Sequence, residues 1–236
     1  MLGKEHYKCG DIMYSLKDNP ILLPHQVNIL QLFFALPFAK PFFLTGGTCL
    51  SAFYLAHRES EDLDFFSLSP FDGLALRTTI QEIADRTDAS MSIQARSQTY
   101  SEIYLENTKD GWRQKIDIVQ EQPVHFGEVK HIDNITIDSL INITTNKILA
   151  VFGRLEPKDY IDLYVIFTQT ELNFDEMFEK AKEKDSGLSE LYFANVISDV
   201  EQFKTFPKMH TSFDQKAFIK FYQSLSHNLL LKIKPK

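Results

Sequence analysis

FFLTGGTCLSAFYLAHRESEDLDFF, residues 42–66, joins four local signals in one run. Phe42 to Thr45 is apolar and strand-like, and it meets the glycine pair Gly46-Gly47. A helical pattern follows from Thr48 to about Arg58, and a second strand-like run carries Asp62 and Asp64. Residues i and i+2 of a strand share a face, so both carboxylates project together while Leu63 and Phe65 turn to the core. Two adjacent carboxylates repel unless a cation joins them. Mg2+ suits such a pair, because it takes oxygen ligands, commonly one or two carboxylates with substrate phosphates and water. The glycines permit a tight turn and close approach of backbone to ligand. The helix behind them offers unpaired N–H groups and partial positive charge to a phosphate, with the Thr48 hydroxyl at its start. Each signal alone has a plainer reading, a turn or a solvated strand edge. Together, in this order, they describe a site for a metal-bound phosphate.

Outward from that run, Pro24 opens a helical pattern in which Val27, Leu30 and Phe34 share a face, ended by Pro37 and Pro41. Leu76, Ile80, Ile83 and Ala84 mark another amphipathic helix. Met91, Ile93 and Ala95 alternate with Ser92 and Gln94, which predicts a half-buried strand. Tyr100 to Asn107 and Trp112 to Val119 read as antiparallel strands joined at Asp110-Gly111, and a short strand is expected near Val129. From Asp138 onward the patterns are helical, at about 138–152, 157–169, 174–185, 188–204 and 213–231, with Ser212 or Asp214 as a cap for the last. The expected class is α+β, with a mixed sheet flanked by helices over 1–137 and a helical domain over 138–236.

Two further clusters carry charge that the fold must account for. In Lys115-Ile116-Asp117-Ile118-Val119 the isoleucines take one face of a strand and Asp117 the other. An acid centred in an apolar strand is costly if buried and unpaired; a metal site shared with Asp62 and Asp64, or a general base on an attacking hydroxyl, would account for it. A surface position on a one-sided sheet is the alternative. In KILAVFGRLEPKDYIDLY, residues 147–164, Lys147 suits a triphosphate and Arg154 suits bidentate contact with an oxyanion. Asp159 and Asp162, three apart, share a helix face, and a solvated face with internal ion pairs reads equally well. His57-Arg58 either fixes the turn, with Arg58 pairing to an acid, or contacts substrate, and Ser60 either caps the turn or meets a phosphate.

The chain has 236 residues, net charge −7, 44% hydrophobic and 24% charged residues, the balance of an ordinary globular protein. Its 20 phenylalanines read as core filling. The acidic balance argues against a surface that coats nucleic acid throughout, but not against a local basic groove. No apolar run is long enough to span a membrane, and the N-terminus has no signal-type segment. Cys9 and Cys49 form neither a disulfide framework nor a metal spacing, and a reducing cytoplasm is the expected setting. GxSxG, P-loop, HExxH and CxxC patterns are absent, which removes the usual hydrolase, P-loop ATPase and zinc readings.

GGTCLSAFYLAHRESEDLDFF resembles the signature of the nucleotidyl transferase AbiEii/AbiGii toxin family, within the polymerase-beta-like nucleotidyltransferase superfamily. That signature is a G-G/S turn, a short helix, an H-R-x-S step matched by His57, Arg58 and Ser60, and D-x-D on a strand. KIDIV resembles the strand of the third catalytic carboxylate. Residues 147–164 resemble the later motif, in which Lys158 replaces the more usual arginine; no role is assigned to it. The likeness spans roughly residues 25–170. It implies Mg2+-dependent transfer of a nucleoside monophosphate from an NTP to an acceptor hydroxyl, with RNA or tRNA as acceptor in some members and a neighbouring antitoxin protein as restraint. By the resemblance Asp62, Asp64 and Asp117 hold the metal, Lys147 and Asp162 join them in catalysis, and Gly46, Gly47, Thr48, Ser60, Arg154 and Asp159 contact the nucleotide. A small-molecule acceptor of aminoglycoside type, or a non-catalytic nucleotide-binding protein, are the alternatives.

Overall fold

The computed structural model describes residues 14–233; Cys9 lies outside them. Helix α1 (Pro24–Ala35) begins at Pro24, where the missing N–H costs nothing, and buries Ile29, Leu30 and Phe33. Strand β1 (Phe42–Thr45) is buried along its whole length. It runs into a helical segment that starts as α2 (Gly46–Cys49) and widens into a π-helical stretch, Leu50–Leu55. That segment stops at Ala56, whose φ of 46° is left-handed, so it ends short of the Arg58 expected from the pattern. Strand β2 (Leu63–Ser67) alternates as required, with Leu63 and Phe65 fully buried. The Phe65 ring stacks on Phe33 of α1 with centroids 4.0 Å apart.

Helix α3 (Gly73–Arg86) is capped by Asp72, whose carboxylate accepts from the amides of Leu74 and Ala75. Strands β3 (Ser90–Arg96), β4 (Tyr100–Asn107) and β5 (Trp112–Gln120) form an antiparallel meander. The short strands β6 (Lys130–Ile132) and β7 (Ile135–Ile137) make a hairpin. The sheet has seven strands in the order β3-β4-β5-β2-β1-β7-β6. Parallel pairs β2–β5 and β1–β7 flank the antiparallel pair β1–β2 at its centre. The alternation in β3 predicts one buried face, but the strand is an edge and nearly all of it is exposed, with a register shift between Ile93 and Ala95. Met91 alone on the strand is half-buried, packed against the core.

After β7 the chain is helical: α4 (Leu140–Gly153), α5 (Pro157–Gln169), α6 (Phe174–Lys184), α7 (Glu190–Val196), a 3-10 turn at Ile197–Gln202, and α8 (Gln215–Leu231). Asp214, not Ser212, caps α8. Phenylalanines fill this half as expected: Phe206, Phe213 and Phe218 meet one another, and Tyr160 and Tyr222 continue the cluster, joined by a Tyr222 hydroxyl to Tyr160 carbonyl bond of 2.6 Å. The last third of the chain also reaches back to the sheet half. Lys208 O accepts from Glu59 N at 2.9 Å, His57 O accepts from His210 N at 2.9 Å, and Arg58 and Met209 form a β-bridge. The link between the helical segment and β2 is thereby held on both sides.

Candidate active site

The central strands present their acids to one cleft. In the β2–β5 register Asp64 stands beside Asp117, and in β4–β5 Asp117 stands beside Glu102. Ile116 and Ile118, on the other face of β5, are fully buried, as the alternation predicts. Asp62, Asp64 and Asp117 all line a cleft of about 720 Å³ between the sheet and α4, with Gly46, Gly47 and Ser60 at the same wall. Lys147, Arg154 and Lys158 line it from the helical half.

Gly46 is required twice over. Its φ of 71° is left-handed, and a Cβ there would lie 2.0 Å from Asp64 Oδ2. The turn and the carboxylate therefore share one space. A Cβ on Gly47 would come within 2.5 Å of Arg58 Nη2, which is not free to move. Thr48 turns away from the cleft and is fully buried. Its hydroxyl donates to the Asp62 carbonyl and lies 2.9 Å from Ser60 Oγ. The Thr48 hydroxyl, expected at a phosphate, here ties down the loop before β2.

Burial and the negative charges of Asp117 and Asp62 push the Asp64 carboxyl up to about 6. Two lysines compensate in part. Lys115 Nζ donates to Asp117 Oδ2 at 2.5 Å and lies 3.6 Å from Glu102, and Lys158 Nζ lies 3.7 Å from Asp62. Tyr100 OH donates to Asp117 Oδ1 at 3.0 Å. Lys115 and Tyr100 carried no role in the sequence; their signal is cross-strand neighbourhood, visible only once the β4–β5 register is known. Lys158, also left without a role, is in the cleft. Among the described residues no group of three His, Cys, Asp or Glu side chains converges so as to hold a metal ion by itself. Asp64 and Asp117, neighbours in the β2–β5 register, with Asp62 at the same cleft, offer oxygen donors that suit a hard divalent cation taking its other ligands from substrate.

Behind the cleft lies a buried ionic network. Asp162 is fully buried and does not line the cleft. Its Oδ1 accepts from Arg58 Nε at 2.6 Å and Oδ2 accepts from Arg58 Nη2 at 2.8 Å, while Lys147 Nζ lies 2.6 Å from Oδ2. Burial would raise this carboxyl, but Lys147 and Arg58 hold it well below the usual range. His57 Nε2 lies 2.8 Å from Asp162 Oδ1. Burial lowers the His57 pKa, so the ring is neutral; Nε2–H donates to Asp162 and Nδ1 is left to face the Ser51 hydroxyl at 3.3 Å. Asp159, also fully buried, accepts from Lys147 Nζ at 2.8 Å and from Arg154 Nε at 2.7 Å. Asp162 and Asp159, expected to act at the substrate, do not line the cleft and are each spent on buried or cleft-wall cations. Lys147 reaches the cleft with its charge already balanced by both.

A second anchor was not foreseen. Asp138, fully buried at the entry to α4, accepts from Thr45 Oγ1 at 2.6 Å and Asn142 Nδ2 at 2.9 Å, with His125 Nε2 at 2.9 Å. It fixes the end of β1, and so the glycine turn, against α4.

The model of the family described as nucleotidyl transferase AbiEii toxin, type IV TA system, matches residues 29–222. Among solved structures, JHP933 from Helicobacter pylori is similar at 18% identity and a TM-score of 0.59, over 88% of this chain and 90% of that one. A proposed nucleotidyltransferase from H. pylori is similar at 18% identity and a TM-score of 0.58, over 90% of this chain and 96% of that one. Among curated protein sequences no match is found. The structural likenesses show the fold, and the family model covers most of the chain. The chain belongs to the AbiEii family of nucleotidyl transferase toxins of type IV toxin–antitoxin systems.

Proposed function

We propose that this nucleotidyltransferase moves a nucleoside monophosphate from a Mg2+-bound NTP onto a hydroxyl of RNA, tRNA being the first acceptor class to test, in the cytoplasm and under restraint by a partner antitoxin. The observation that supports it is the cleft itself: Asp64 and Asp117 in register, the glycine turn packed on Asp64, and cationic side chains on the facing wall. In this reading the sheet half, to residue 137, supplies acids and turn, and the helical half supplies the cations.

Gly46 and Gly47 let the triphosphate approach the backbone, with Ser60 beside them. Arg154 and Lys158 meet the charge of the departing pyrophosphate. Lys147, held by Asp159 and Asp162, keeps a third positive group at the same wall. The acceptor oxygen bonds to the α-phosphorus as the bond from that phosphorus to the bridging oxygen breaks, and Asp117 takes the acceptor's proton. Asp62, Asp64 and Asp117 would hold the divalent ion, which when bound neutralises charge on the phosphoryl group in flight.

The test is incubation with Mg2+, labelled NTPs and total tRNA, with an aminoglycoside replacing tRNA in a parallel arm. Transfer to tRNA, abolished by Asp62→Ala plus Asp64→Ala, is the expected result. Transfer that survives the double substitution would sink the mechanism, and transfer to the aminoglycoside alone would replace the acceptor.

A further inference from the structure

The far end of the cleft carries a group that the transfer chemistry does not use. Asp117 and Val119 share a face of β5, Glu121 follows just past the end of the strand, and all three line the cleft. Across from them stand Ile143, Asn146, Leu149 and Ala150 of α4. Phe66 and Val119 on one side with Ile143 and Leu149 on the other make this end apolar, with an aromatic ring in the wall. Glu121 closes it.

Glu121 is nearly buried, its side chain 11% exposed. Its Oε1 accepts from Asn146 Nδ2 at 2.9 Å and from Lys184 Nζ at 2.8 Å. Lys184 also donates to Asn142 Oδ1 and Asn146 Oδ1, both at 2.7 Å, so the three protons of its ammonium are committed. Both ends of the Asn146 amide are engaged as well. Glu121 Oε2 has no partner, and among the described residues it is the one buried side-chain polar atom in that condition. Buried acceptors are rarely left bare, and each exception calls for a reason. Lys184 could not be assigned to this place from sequence, since 42 residues separate it from Asn142.

We propose that Glu121 reads the nucleobase of the NTP, its Oε2 accepting a hydrogen bond from an amino-bearing edge, so that the cleft takes adenine, cytosine or guanine nucleotides in preference to uridine nucleotides. This rests on the nucleotidyltransferase reading above, which puts the triphosphate at Gly46-Gly47 and leaves the continuous cleft beyond Asp117 for the nucleoside. The apolar walls suit the faces of a base, since stacking on an aromatic ring is tolerant of sequence. The edge is what discriminates. At this end of the cleft Glu121 Oε2 is a bare acceptor, while the donors of Asn146 and Lys184 are committed. An exocyclic amino group presents protons to it, as cytosine N4 does to a carboxylate. The N–H of uracil lies between two carbonyl oxygens, which a carboxylate repels. The last torsion of a glutamate is soft, so a small turn presents Oε2 to the guest.

The experiment is calorimetric titration of the full chain, in Mg2+ and without acceptor, with non-transferable α,β-methylene analogues of the four NTPs. The uridine analogue is expected to bind at least about tenfold more weakly than the best of the other three, the scale of one hydrogen bond to a charged group. Glu121→Gln keeps an oxygen for Lys184 and Asn146 and turns the bare acceptor into a donor, so the uridine analogue should gain relative to the rest. The ratio among nucleotides within one variant is unaffected by any misfolded fraction, which lowers all four alike. Four analogues bound within about twofold, or a ratio unmoved by Glu121→Gln, would overturn the assignment while leaving nucleotide binding intact. No binding of any analogue by the wild-type protein would overturn the nucleotide reading itself.

Discussion

Replacing Asp162 by asparagine separates a positioning role from a chemical one. The substitution keeps the shape of the side chain and removes its charge. In the native protein that charge faces Arg58 Nε at 2.6 Å, Arg58 Nη2 at 2.8 Å and Lys147 Nζ at 2.6 Å, with Asp162 wholly out of water. Asp159 still serves Lys147 in the variant, but the Arg58 guanidinium loses its carboxylate while it remains 3% exposed. An asparagine NH2 would also turn a donor toward other donors. Removing one partner of a buried ion pair costs about 3–5 kcal/mol, against a total stability of roughly 5–15 kcal/mol for a folded protein. For a chain of this size that corresponds to a melting temperature lower by roughly 6–20 °C. Differential scanning calorimetry of Asp162→Asn measures it. Transfer activity assayed well below the melt should fall less than in Asp64→Ala. A variant that melts within about 2 °C of wild type yet has lost transfer altogether would refute the positioning role and return Asp162 to the chemistry.

Gly46→Ala should cost about 1–2 kcal/mol from the left-handed backbone alone, and it should also abolish transfer, because its Cβ takes the space of Asp64 Oδ2; melting and transfer assays on the same sample check both. Asp64, raised to about 6 by burial and by Asp117 and Asp62, binds its proton more tightly folded than unfolded. The stability it contributes without metal is therefore present below the ordinary carboxylate range and is lost as pH rises through about 6. Thermal melts at pH 5 and pH 7.5 should show a larger stabilisation by Mg2+ at the higher pH, where no proton must be displaced; an equal or smaller effect there would count against Asp64 as a ligand. Lys115→Met removes a cation that lowers the Asp64 pKa, so the midpoint of Asp64 followed by NMR should move further up.

Much of this was legible because it depends on local rules. The run from Phe42 to Phe66 places a strand, a glycine turn and two acids by period and backbone freedom alone, and the alternation in 115–119 is enough to aim Asp117 opposite Ile116 and Ile118. Helix ends followed their caps, as at Asp214. What escaped the sequence is what packing decides. The spacing of Asp159 and Asp162 says that they share a helix face, but only the docking of α5 says that the face is buried and met by Arg58 and Lys147. Thr48 heads a helix and so reads as a phosphate contact, yet its hydroxyl is spent on the Asp62 carbonyl. Strand β3 alternates as if one whole face were buried, but it is an edge strand and only Met91 is half-buried against the core. Lys115, Tyr100 and Glu121 gain their meaning from register and from partners far along the chain, which no periodicity reports. The segment before α8, which carries no motif, pairs with residues 57–59 through Lys208, Met209 and His210.

Where the label goes identifies which bond breaks. The protein is given tRNA, Mg2+ and NTP labelled either at the α- or at the γ-phosphorus. Label from the α position should appear on the tRNA while label from the γ position leaves as pyrophosphate. Label from the γ position on the tRNA would make the reaction a phosphorylation and would overturn the proposed transfer.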